Sequence, residues 1–89
     1  MKAIITVIGK DKIGIIYSIS KVLKDNNINI LDINQTIMQD IFTMVMLVDL
    51  EKMKEDFNEL SKILDVVGEE IGTNIRIQRE DLFNSMHRI

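Results

Sequence analysis

No cysteine, proline or tryptophan occurs in these 89 residues, and glycine appears only four times. Lack of cysteine removes disulfides, thiolate catalysis and the common structural zinc ligand sets, and it is compatible with a reducing compartment. Aromatic residues make up 4% of the chain, too few for the stacking platform of an RNA-recognition module. Positive charge is also scarce: 11 Lys and Arg face 14 Asp and Glu, for a net charge of −3 at pH 7. That balance argues against a broad phosphate-neutralising surface, so neither nucleic acid nor an anionic membrane is expected as the main partner. No run approaches the ~20 apolar residues of a membrane span, and the stretch Ala3-Ile4-Ile5-Thr6-Val7-Ile8 is too short for a signal-peptide apolar region. A soluble, cytoplasmic domain is the expectation.

What the chain does have is apolar mass. It is 46% hydrophobic with a mean hydropathy of +0.10. A chain of this length builds one core and buries only about 60–65% of the surface its unfolded form exposes. Either the helices absorb every apolar side chain, or another copy of the chain covers some of them.

The residue pattern divides the chain by period. Residues 2–8 are rich in β-branched side chains, with Ala3, Ile5 and Val7 on one face and Ile4, Thr6 and Ile8 on the other, as in a central strand. Gly9-Lys10-Asp11-Lys12 interrupts the run. From Gly14 onward Ile15, Ile16, Ile19, Val22 and Leu23 fall on one stripe of a helix, with Asp11 as its N-cap and Asn26-Asn27 as its stop. A second extended segment runs from Ile28 to about Gln39, spaced by Asn29, Asp32, Asn34 and Gln35 as an edge or partner-facing strand is, and Asp40 supplies a short turn. Ile41 to Leu50 reads as a second central strand, with Phe42, Met44, Met46 and Val48 on one face. Met53, Phe57, Leu60, Ile63, Leu64, Val67 and Ile71 predict a long amphipathic helix from about Lys52, ended by Gly72. Ile75 and Ile77 mark a short last strand. Leu82, Phe83, Met86 and Ile89 then repeat at helical spacing, predicting a short C-terminal helix.

This order gives an α+β fold, a ferredoxin-like βαββαβ sandwich with a four-stranded antiparallel sheet, strands 1 and 3 central and both helices on one face. One sheet face is left bare, and its apolar side chains need a cover.

Such a frame hosts unrelated functions, so side chains must decide. Gly9-Lys10-Asp11-Lys12-Ile13-Gly14 offers glycines, lysines and a helix N-terminus to an anion. The plain alternative is a strand-to-helix turn in which Gly9 supplies an unusual dihedral and Gly14 lets the helix approach the sheet. His87 is the sole histidine and reads as a surface residue near a helix end. Ser18 and Ser20 lie within the first helix, the adjacent pairs Glu69-Glu70 and Glu80-Asp81 project apart, and Met44 and Met46 are core filler. Nothing resembles a catalytic site, and no metal or cofactor is implied.

Taken together, Asp11-Lys12-Ile13-Gly14-Ile15 opening the first helix, Asn27-Ile28-Asn29-Ile30 opening the second strand and the aliphatic third strand resemble an ACT domain over residues 2–79. More narrowly, Met1 to Val7, Asn29 to Ile37 and Gln78 to Ile89 are similar to small stand-alone ACT proteins of bacteria and archaea, related to the ACT repeats of the glycine cleavage system repressor. The resemblance implies an ACT domain at 1–79 with a C-terminal helical extension at 80–89. It also implies a regulatory role without catalysis, exerted as a homodimer or higher homo-oligomer on a separate protein, with an amino acid or similar small molecule as effector. The ligand of an ACT domain lies where the first loop meets strand 2 of a neighbouring copy, which here implies Asp11, Lys12, Ile13, Gly14 and Ile15 on one side and Asn29 and Ile30 on the other. In that picture the first helix receives a carboxylate, Asn29, Asn34 or Asp32 receives an ammonium or polar group, and Gly14 keeps Cβ atoms off the ligand. Asp11 stands against the first element: inside the pocket its charge opposes a carboxylate, and as a cap it consumes the amides. The alternative is a ligand-free oligomerisation or protein-interaction module.

Overall fold

The computed structural model describes residues 1–81. Strand β1 (Lys2–Gly9) is followed by helix α1 (Lys12–Asp25), strand β2 (Asn29–Met38), strand β3 (Ile41–Asp49), helix α2 (Phe57–Ile71) and strand β4 (Asn74–Arg79). The four strands form one antiparallel sheet in the order β2-β3-β1-β4. This is the expected ferredoxin-like topology. The predicted stripe Leu82, Phe83, Met86 and Ile89 lies outside the described residues.

The core is a layer between the sheet and the helices. Ala3, Ile5 and Val7 of β1 and Phe42, Met44, Met46 and Val48 of β3 alternate inward, and Ile15, Ile19, Val22 and Leu23 of α1 with Leu60 and Leu64 of α2 close over them. Period 2 in the strands and period 3.6 in the helices thus deliver their apolar residues to one place. Asp11 caps α1 as expected, and at its other end Asn26 donates its side-chain amide to the Val22 carbonyl at 2.7 Å. Asn27 then turns the chain into β2 with a left-handed backbone, φ 58°.

Two boundaries differ from the sequence pattern. Helix α2 begins at Phe57, several residues later than the apolar spacing predicts, because Asp56 supplies the N-cap by accepting from the Glu59 N–H at 2.8 Å. Met53 continues the helical spacing by chance and packs against the core from a turn. In the β2–β3 hairpin it is Gln39, beside Asp40, that takes the left-handed conformation, φ 56°.

The apolar surplus is distributed differently from the pattern as well. On the sheet face away from the helices Ile8, Ile41 and its cross-strand partner Met38 are exposed, whereas Ile4, Val45 and Leu47 are half-buried. The larger share lies on β2, in which every residue is exposed, and on the outer side of α1, where Ile13 and Tyr17 are 82% and 67% exposed. Since Ile30, Ile33 and Ile37 pair with the inward-facing Val48, Met46 and Phe42, these β2 side chains face the helix layer, yet no helix covers them.

Candidate functional site

The β1–α1 turn is built around one carboxylate. Asp11 Oδ1 accepts the Gly14 N–H at 3.1 Å, and the Ile15 N–H donates to the Asp11 carbonyl at 2.9 Å. A Cβ on Gly14 would meet Asp11 Oδ2 at 2.5 Å, so glycine at this position makes room for the cap itself. The close approach to other elements belongs to Gly9, where a Cβ would stand 2.8 Å from both Ile15 Cδ1 and Thr73 Oγ1; its φ is ordinary. The close approach expected of Gly14 thus falls to Gly9, and the unusual dihedral expected of Gly9 is found at neither glycine. Lys12 and Ile13 are exposed at the start of the helix, Ile15 is buried in the core, and Lys10 reaches the hairpin through an ion pair with Asp40 at 3.6 Å.

Asn29 and Ile30 lie at the far end of the sheet. Asn29 pairs with Asp49, which pairs with Lys2 at the start of β1, whereas the Asp11–Ile15 turn follows the other end of β1. Eight residues of β1 separate the two ends, about 25 Å at ~3.3 Å per residue. Within one chain the expected site residues form two separate clusters. Asn29, Asp32 and Asn34 share the sheet face away from the helices, while Ile30 projects to the helix side, with Leu31 forming a bulge between.

The Asn29 end holds an open groove of about 550 Å³, lined by Asn27, Ile28, Asn29, Asp49, Glu51 and Lys52. Its turn is well tied: Asp49 Oδ1 accepts the Glu51 N–H at 3.0 Å, the Leu50 N–H donates to the Met1 carbonyl at 2.8 Å and the Met53 N–H to the Leu50 carbonyl at 3.1 Å. Sequence reasoning singled out Asn29 but missed Asp49, Glu51 and Lys52. The signal for them is the β2–β3 register, which the local sequence does not contain. Among the described residues no group of His, Cys, Asp and Glu could hold a metal ion, and no helix is long and apolar enough to cross a membrane.

A family model for the ACT domain matches residues 2–78. The chain belongs to the ACT-domain family. ACT domains as a class are small-molecule-binding regulatory modules and commonly dimerise. Among curated relatives, this ACT domain is 54% identical over 86 residues to a UPF0237 protein of Methanococcus maripaludis, covering 97% of this chain and 96% of the relative. Among solved structures, an ACT domain protein from Streptococcus pneumoniae superposes with a TM-score of 0.82 at 39% identity, covering 98% of each chain. A candidate glycine cleavage system transcriptional repressor shares the fold at a TM-score of 0.73 and 20% identity, over 88% of this chain and 44% of the other. The ACT domain here also carries a shallower hollow on α1, about 530 Å³, lined by Ile16, Tyr17, Ser20, Lys21, Lys24 and Asp25. There Lys21 donates to Asp25 at 2.7 Å, and this bond, with the attraction of the carboxylate, holds the ammonium above its ordinary pKa.

Proposed function

We propose that this ACT domain senses a free amino acid or closely similar small molecule and acts as a homo-oligomer on a separate protein, with each site shared between two copies. The observation that carries the reading is the separation of the two clusters. Asp11–Ile15 and Asn29 lie at opposite ends of the sheet, so one chain holds two half-sites. If two copies join antiparallel through β2, the ends exchange, and Asn29 of one copy approaches the first turn of the other.

Strand β2 is suited to that pairing. It is ten residues long, exposed throughout, and carries a single charge, Asp32, with no lysine, arginine or proline. The opposite edge differs, since β4 has six residues and presents Arg76 and Arg79. Charges of this kind discourage strand addition, and their absence leaves an edge open to it. A copy seated on β2 also covers Ile30, Ile33 and Ile37, which no helix covers within the chain.

A thermal-shift screen of the full chain against the common amino acids at millimolar concentration tests the sensing role. Binding at 100 times Kd adds about 2.7 kcal/mol, so at least one amino acid is expected to raise the melting temperature. Silence across the panel, with an oligomeric mass in light scattering, favours a ligand-free interaction module, for which the uncovered β2 already speaks.

A further inference from the structure

We propose that the groove beside Asn29 reads the charged head of a small zwitterion, with Lys52 taking its carboxylate and Asp49 and Glu51 its ammonium. The proposal rests on the sensing role above and assigns the two ligand charges to side chains at the β3–α2 turn.

The first support is a set of charges that no ion pair among the described residues neutralises. Asp49, Glu51 and Lys52 line one groove, yet none of them makes an ion pair among the described residues, whose ion pairs are Lys10–Asp40, Lys21–Asp25, Lys62–Glu59 and Arg79–Asp81. Opposite charges around a common space without direct contact suit a ligand that carries both signs and bridges them. The second support is preorganisation. The Glu51 N–H holds Asp49 Oδ1 while the Leu50 N–H is bonded to the Met1 carbonyl, so the Asp49 carboxylate is in place before a ligand arrives; a group already ordered loses less freedom on binding. Asn27 and Asn29 add amides that both donate and accept.

The third support comes from the other half-site. At the start of α1 the Gly14 N–H is already taken by Asp11, and the Ile15 N–H by the Asp11 carbonyl. A ligand carboxylate placed there would meet a carboxylate of the protein and lose the amide that would have held it. This favours the Asn29 end for the head group.

Isothermal titration of the full chain decides the matter, using first the common amino acids, then the C-terminal amide and the N-acetyl form of each one that binds. Lys52 is exposed, so Lys52→Met is expected to fold like the wild type, which circular dichroism checks. It should weaken amino-acid binding at least about tenfold, since a charge-assisted hydrogen bond is lost, and leave binding of the amide unchanged. Glu51→Gln should weaken the amino acid and leave the N-acetyl form unchanged. An unchanged amino-acid affinity in Lys52→Met or in Glu51→Gln overturns the assignment and leaves the sensing role standing. If no amino acid binds the wild type, the sensing role fails and the assignment fails with it.

Discussion

At the N-terminus of α1 the Asp11 carboxylate and the bare Cα of Gly14 occupy the same small space, with 3.1 Å between Oδ1 and the amide and 2.5 Å from Oδ2 to where a Cβ would stand. The two positions should therefore be coupled. Asp11→Ala is expected to cost about 1 kcal/mol through loss of the cap. Gly14→Ala should be neutral to destabilising by about 1 kcal/mol in the wild type, because it displaces the cap. In the Asp11→Ala background it should stabilise by about 0.5–1 kcal/mol, because alanine is the better helix former. Urea unfolding of the four proteins measures this, and an equal effect of Gly14→Ala in both backgrounds would mean that something other than the carboxylate holds the position. Gly68 is a different case: it is buried, and a Cβ there would lie 2.7 Å from the backbone oxygen of Thr73. Gly68→Ala should lower stability by about 1–3 kcal/mol. The Asp11 cap was legible in the sequence because capping is local. The roles of Gly9 and Gly14 were not, since the atoms that exclude a Cβ at Gly9 come partly from Thr73, which chain folding alone brings there.

Among the elements, β1, β3 and the inner stripes of both helices follow directly from hydrophobic period, and their buried residues match the alternation in the sequence. The start of α2 was misplaced because an apolar residue in a turn, Met53, happens to fall in phase with a helix that begins only after Asp56. The site residues were partly legible: Asn29 lines the groove, but Asp49, Glu51 and Lys52 join it through pairing across β2 and β3. Strand β2 carries the clearest prediction at this scale. Ile37 is 58% exposed, so Ile37→Lys should change the stability of a single copy by no more than about 0.5 kcal/mol. In an assembly through β2 it places a charge in the interface and shifts the light-scattering mass toward the monomer. A monomeric mass for the wild type, or an unchanged oligomer in this variant, counts against pairing through β2.

For the molecule as a whole, the core is small and each member matters. Phe42 is only 2% exposed, and Phe42→Ala should cost about 3–5 kcal/mol, much of the total stability of ~4–13 kcal/mol expected at this length. A melt followed by circular dichroism should show the variant largely unfolded near physiological temperature. If copies join through β2, the melting temperature of the wild type should rise with protein concentration, because assembly stabilises the folded state by mass action. A flat dependence over a hundredfold range in concentration would indicate that each copy is stable alone.

The two sheet edges are unequal, with β4 guarded by Arg76 and Arg79 and β2 unguarded. A sheet that can be extended on both sides polymerises into a ribbon, whereas one with a single adhesive side is capped by its first partner. Once two copies have met through β2, each outer margin is an arginine-bearing β4, and growth has nowhere to continue. In a pair joined through β2 the asymmetry would act as a chain terminator: so much exposed isoleucine and methionine on one strand could be covered without setting out on the path to a fibre.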